Sequence, residues 1–346
     1  MHLAISLMNN QRKNYIGIDV SKLWFDSALL SVENHVKQSI IKERFENTQN
    51  GLKLFGKWLK KHGVTFDSET LVLIENTGVY HRHIESYCAI KKLRLHIGNA
   101  ARIKWSLGIT RGKDDKTDSE RLCKYAYKES GDLIDTLPAN PLFSHLKDLM
   151  TARTKLLGQF NSIKVHLNEL KQFNSKELQA SLEMGYEGAK LGIKESIRAI
   201  EKQIQELIKE DQTVNENYNL LLTIPGIGHL TAVYLICYTN NFTMKISGKQ
   251  LASYAGVVPF GFQSGSSIKG RFKVHKMANK DLKKLLHLCA LSIIKYNPEF
   301  NNYYNRKKEE GKHSLLALNN VKCKLVSRIF AVIKRETPYV KTHQFA

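Results

Sequence analysis

Four carboxylates stand where this sequence could do chemistry: Asp19 in YIGIDVSK, Glu75 closing TLVLIE, and Asp115 with Asp118 in RGKDDKTDSERL. Asp19 lies in the run Tyr15-Ile16-Gly17-Ile18-Asp19-Val20, which has the length and β-branched content of a buried strand. Burying an ionised carboxylate there costs several kcal/mol or forces protonation, unless a cation, a hydrogen-bond network or the strand's open end receives it. Glu75 repeats the pattern, ending Leu71-Val72-Leu73-Ile74 just before the breaker Asn76-Thr77-Gly78. Asp115 and Asp118 share one face at the start of a helix expected to reach about Glu129. Acids of this kind suit hard divalent cations, and two such ions about 3.5–4 Å apart clamp the attacking and leaving oxygens of a phosphodiester. Singly, each acid has a plainer reading as a strand-edge residue or a helix N-terminal charge. The four in this order point to a metal.

The elements that must position them follow from pattern. Over residues 1–137 the spacing predicts strands near 15–20, 25–31, 36–45, 70–75 and 93–97, and helices near 50–62, 80–91, 100–108 and 117–129. Three strands in succession, then strands separated by helices, give an α/β mixed sheet of ribonuclease-H-like order. In that layout the first strand, the fourth strand and the last helix meet at one sheet edge, which would put all four acids in one pocket.

Beyond Pro138 and Pro141 the texture becomes all-α. Leu146, Leu149, Arg153, Leu156, Phe160, Ile163, Leu167 and Leu170 form a heptad seam, and Ile193, Ile197, Ile200, Ile204 and Leu207 form a second. Residues 138–212 are therefore expected to be a coiled-coil arm, folded back as a hairpin or paired between subunits, with Arg153 setting register or reaching a neighbouring subunit.

Charge is distributed unevenly. The formal net charge is +21, and residues 213–346, with 20 basic and 6 acidic side chains, hold +14 of it. Such a surplus points to a polyanion, because basic clusters gain affinity by releasing counterions condensed on phosphates. Within this third, Pro225-Gly226-Ile227-Gly228 between apolar helical stretches resembles the turn of a helix-hairpin-helix, whose backbone N–H groups at Gly226 and Gly228 can approach a phosphate. An ordinary helix-helix turn is the simpler alternative. Then comes the loop Gln263-Ser264-Gly265-Ser266-Ser267, leading through Lys269, Arg271, Lys273 and Lys276, which are expected to bind nucleic acid. By composition its serines are turn formers, and no local His–Asp pair would activate one.

Five cysteines without CxxC or Cys/His spacing argue against zinc and a disulfide framework and fit a reducing cytoplasm. The N-terminus lacks the order of a signal peptide, and no run reaches transmembrane length, so a membrane partner is not expected.

Together, GIDVSK, ENTGVYH, KDDKTD leading to Lys124-Tyr125-Ala126, PGIG, ASYAGVVP and QSG resemble, in order along nearly the whole chain, the DEDD transposases of insertion sequences related to the Piv/MooV invertases, the IS-one-ten group. The resemblance implies a RuvC-like domain over 1–137 with Mg²⁺ (or Mn²⁺) on Asp19, Glu75, Asp115 and Asp118, a coiled-coil arm over 138–212, and a mainly helical transposase domain over 213–346. It also implies that Ser264 is the nucleophile, with Ser266 and Ser267 as neighbours in the same loop. Implied partners are donor and target DNA, a structured noncoding guide RNA that pairs with both, and further copies of the chain as a dimer or tetramer in which one subunit's acids meet another's serine. A bacterial cytoplasmic, nucleoid-associated protein is the expectation. Where the family commonly has alanine after the last aspartate this chain has Ser119, and the Gly and Arg often following QSG are Ala278 and Lys283. Two rival readings remain: a structure-selective nuclease acting by metal-activated water, and a non-catalytic nucleic-acid scaffold.

Overall fold

In the computed structural model, which describes residues 12–106, 115–136, 140–244, 246–258, 260–264, 268–274 and 278–340, the chain divides into two units, Met1–Ala139 and Asn140–Ala346. The first is organised around β1 (Arg12–Val20), antiparallel to β2 (Trp24–Glu33) on one side. Strands β3 (Val36–Lys37) and β4 (Ile41–Glu46) both pair with β2, while β5 (Thr70–Glu75) and β6 (Arg94–Gly98) continue the sheet in parallel beyond β1. Four antiparallel strands followed by two parallel additions make a mixed sheet of the kind a ribonuclease-H-like domain requires.

The stretch 36–45, expected as one strand, is two. Val32 pairs with Lys37 but Leu29 with Ile41, one residue out of step, so 38–40 holds an extra residue and bulges. The tight turn before it places Asn34 and His35 at φ 48° and 65°, which matches the twist of the flanking strands.

Alternation along the strands sorts their side chains onto two faces. Ile16, Ile18, Phe25, Leu29, Val72 and Ile74 pack under α1 (Gln49–Lys61) and α2 (Arg82–Lys91), with Phe55, Leu59, Ile84 and Cys88. Tyr15, Ala28, Leu30, Leu71 and Leu73 pack on the other face. There, beyond α3 (Ala100–Ser106), they meet Leu122, Cys123, Tyr125 and Ala126 of α4 (Asp115–Lys128). Period two therefore assigns Asp19 and Glu75 to the face covered by α4.

The second unit begins with two long helices, α5 (Pro141–Leu170) and α6 (Lys176–Glu210), capped by Asn140 and Ser175. They fold back on each other within one chain: Arg153 Nε donates to Glu201 Oε1 at 2.7 Å and Gln179 Nε2 to the Leu167 carbonyl at 3.2 Å. Of the two uses open to Arg153, the structure shows the pairing inside the hairpin. Between Met150 and Leu167 the seam is only half-buried, since two helices cannot enclose it. Next come α7 (Gln212–Leu222), α8 (His229–Thr239) and α9 (Gly248–Tyr254). A hairpin, β7 (Phe260–Ser264) with β8 (Ile268–Lys273), precedes α10 (Lys280–Tyr296), α11 (Pro298–Glu309) and α12 (Ser314–Arg335). The core there includes Leu221, Leu235, Leu286, Ile293, Leu325 and Ile329.

All five cysteines are free thiols; four are buried and Cys323 is half-buried. Burial pushes Cys88, Cys123 and Cys237 up to about 12 and also raises Cys289 and Cys323. Among the described residues no helix is long and apolar enough to cross a membrane.

Candidate functional site

Ile18 and Ile74 are register partners across the parallel β1–β5 pair, so Asp19 and Glu75 follow them side by side at the C-terminal ends of adjacent strands. What brings α4 down to them is Gly17. A Cβ built there would stand 2.1 Å from the Cys123 nitrogen and 2.3 Å from the Ser119 oxygen, so the helix backbone lies directly on the strand and no other residue fits. Ser119 is itself buried at this contact, and its Oγ finds no hydrogen-bond partner among the described residues. The position calls for a small side chain, which serine supplies. Lys42 of β4 anchors the same helix through Glu120 at 2.6 Å.

Asp118, one residue before this contact, faces the strand ends. The Glu75 carboxyl is consequently held above the usual carboxylate range, first by burial, then by the charge of Asp19, then by that of Asp118. Acids of β1 and α4 thus both act on Glu75 of β5. Asp115 opens α4 one turn earlier; its side chain lies outside the described residues. Asp118 also accepts from Arg121 Nη1 at 2.7 Å. Among the described residues no three His, Cys, Asp or Glu side chains form a metal-holding group. The donor set nonetheless fits a hard dication in two respects: it is carboxylate oxygen throughout, and it repels itself where a cation would relieve it.

Three nearby residues were not singled out by spacing. Asp26, the cross-strand partner of Asp19, is buried and bound through both oxygens by Arg44 at 2.9 and 2.8 Å, so its charge is already matched. Asn47 donates to the carbonyls of Ser21 and Tyr80, tying together the loops that leave β1 and β5. His81 is buried, its pKa lowered by burial and then by Arg82, and its Nδ1 accepts from the Thr77 N–H at 3.3 Å. A neutral imidazole thereby braces the turn after Glu75. The run ENTGVYH held the signal for His81; nothing local marked the other two.

In the second unit Ser264 ends β7, paired with Ile268 of β8. Ser266 and Ser267 lie outside the described residues, as does Lys276. Lys269, Arg271 and Lys273 fall on β8, where Gln263 pairs with Lys269 and Phe260 with Lys273. Of the PGIG glycines, Gly226 has φ +82°, and a Cβ there would meet the Cys289 carbonyl oxygen at 2.7 Å, so this glycine serves the packing of α10. Gly228 caps α8 in open space.

Family models match at both ends of the chain: a DEDD transposase model over residues 16–173 and one described as transposase IS116/IS110/IS902 family over residues 218–305. A pilin gene-inverting protein of Moraxella bovis is 30% identical over 336 residues, covering 95% of this chain and 98% of its own. The insertion element IS110 43.6 kDa protein of Streptomyces coelicolor is 31% identical over 147 residues, 42% of this chain and 35% of that one. A transposase for insertion sequence element IS1328 of Yersinia enterocolitica is 32% identical over 98 residues, 28% of this chain and 27% of its own.

Proposed function

Because this chain belongs to the IS116/IS110/IS902 family of insertion-sequence transposases, we propose that it cuts and rejoins DNA with a Mg²⁺-binding tetrad, Asp19, Glu75, Asp115 and Asp118, and a serine nucleophile, Ser264. The observation that supports the metal half of this reading is the β1–β5 register, which sets Asp19 and Glu75 side by side at the strand ends, with Asp118 of α4 near enough to help raise Glu75. When bound, the divalent ion neutralises charge on the scissile phosphate and polarises its oxygens. Ser264 Oγ attacks the phosphorus, the bond to the departing sugar oxygen breaks, and the serine proton ends on that oxygen. The phosphoserine ester keeps the bond energy, so a second strand's hydroxyl can displace the serine and rejoin DNA without an external energy source.

A structured noncoding RNA chooses the sites in this scheme, and the positive surplus of residues 213–346 supports a nucleic-acid partner there. The half-buried seam of the α5–α6 hairpin supports assembly as a dimer or tetramer through that arm, with one subunit's acids served by another's serine. Residues 1–137, 138–212 and 213–346 are the corresponding catalytic, arm and transposase domains.

End-labelled DNA carrying the element junction, incubated with protein, Mg²⁺ and the element's RNA, tests the scheme. A covalent protein–DNA adduct is expected with the natural chain and none with Ser264→Ala or Asp19→Ala. An adduct that persists in Ser264→Ala overturns the serine assignment. Free hydrolytic nicks that survive Ser264→Ala but vanish in Asp19→Ala would instead establish a water-using nuclease.

A further inference from the structure

Among the described residues, no acid answers a buried lysine of α12. Lys322 is 3% exposed, and its Nζ donates to Asn319 Oδ1 at 2.9 Å. The charged group acting on it most is Lys283 of α10, and Lys322 acts in turn on His287, one helical turn beyond Lys283. Among the described residues the Cys323 thiol also acts at this point, itself held neutral by burial. The acid available to α12 goes elsewhere: Glu299 binds Lys324 at 2.8 Å and Arg328 at 3.0 Å. Burial and like charge accordingly lower the pKa values of both Lys322 and His287. Burying an unanswered ammonium is expensive, and a fold that keeps one beside further cations is poised for an anion.

Its place in the fold says which anion. A Cβ at Gly256 would meet Ala278 Cβ at 2.5 Å, Val274 Cγ1 at 2.8 Å and Lys283 Cδ at 3.8 Å. Val274 is the residue that leaves β8, so the stem of Lys283 lies at the foot of the hairpin bearing Ser264. Cys323 Sγ, next to Lys322, reaches the Val257 carbonyl at 3.9 Å, beside the same glycine. We propose that Lys283, His287 and Lys322 form a phosphate-binding site at the base of the β7–β8 hairpin, taking one backbone phosphodiester of the DNA strand that the serine engages. The choice of strand rests on the serine reading; the anion site does not.

The test uses the full-length chain, with Lys322→Met to keep the stem and remove the charge. The natural protein should melt higher in inorganic phosphate than in chloride of equal ionic strength, and Lys322→Met should lose that shift while melting no lower in chloride. Duplex DNA of the element end, followed by fluorescence anisotropy, should bind Lys322→Met roughly tenfold more weakly, with the salt slope reduced by about one ion. Lys322→Arg should restore both. An unchanged phosphate shift and an unchanged salt slope in Lys322→Met would reduce Lys322 to a structural residue and overturn the site. Weakened binding of the element's RNA with DNA binding intact would overturn the assignment to DNA. Should Lys322→Met not fold, the double variant Lys283→Gln/His287→Gln, on half-buried positions, is read in the same way. Ser264→Ala should keep both signals; a natural protein that shows them yet forms no adduct refutes the serine reading and leaves this site standing.

Discussion

Glu75 and Lys322 are opposite answers to one problem. Each is an ionisable group drawn inward beside groups of its own sign, one on the sheet of the first unit and the other among the helices of the second. The first is short of positive charge and the second of negative charge; on the proposed function a metal ion answers the first and a phosphodiester the second. Fold stability and readiness for substrate would then be set against each other at each place, and substitutions that remove the charge should separate them.

The largest effect is expected from Glu75→Gln. Loss of one carboxylate from the acid group should reduce adduct formation by about a hundredfold or more, on the scale of removing one electrostatic stabiliser from an active site. Metal-free stability should move the other way. Glu75 has a raised folded pKa, so its contribution is fully present at low pH and is lost as pH rises through that pKa. Urea melts without metal should show the variant gaining on the natural protein above that range and matching it below. Equal pH profiles would remove Glu75 from the comparison.

Gly17→Ala should come next. With backbone atoms of α4 at 2.1 and 2.3 Å from the new methyl, the helix must lift, at a cost of about 1–3 kcal/mol or more. Chemical denaturation should find that loss together with impaired cleavage. Gly226→Ala, at φ +82° against the α10 backbone, should cost about 1–3 kcal/mol in the second unit. Gly228→Ala, facing open space, should cost well under about 1 kcal/mol as a lost glycine cap. The smallest effect is expected from Arg153→Ala, whose half-exposed partner Glu201 limits the pair to about 0.5 kcal/mol in thermal melts.

Much of the first unit was legible because its strands are short β-branched runs ended by breakers and its helices carry 3.6-residue stripes. Asp19, Glu75 and Asp118 could be placed together on that basis, since strand period and helix start fix their faces. The bulge at 38–40 was not legible: a one-residue slip leaves no trace in composition. Nor was the role of Gly17, which depends on a helix about a hundred residues later in the chain. Arg44's claim on Asp26 likewise exists only once β2 and β4 have paired. Lys322 did carry a signal that went unread. Leu318, Leu325 and Ile329, at helical spacing from it, are all core residues, so the lysine sits on an apolar face. By contrast, the glycine pattern PGIG suggested an approach to phosphate, whereas packing against α10 accounts for Gly226.

The suppressed acidity of every thiol has a practical side. Thiolates are the species that maleimides attack, and Cys88, Cys123, Cys237, Cys289 and Cys323 are all held as neutral thiols, four of them behind other side chains. A single cysteine introduced on the exposed tip between α5 and α6, at Gln172 for example, would take a fluorophore selectively in the otherwise natural chain. Energy transfer between such dyes would then report whether arms come together, and when.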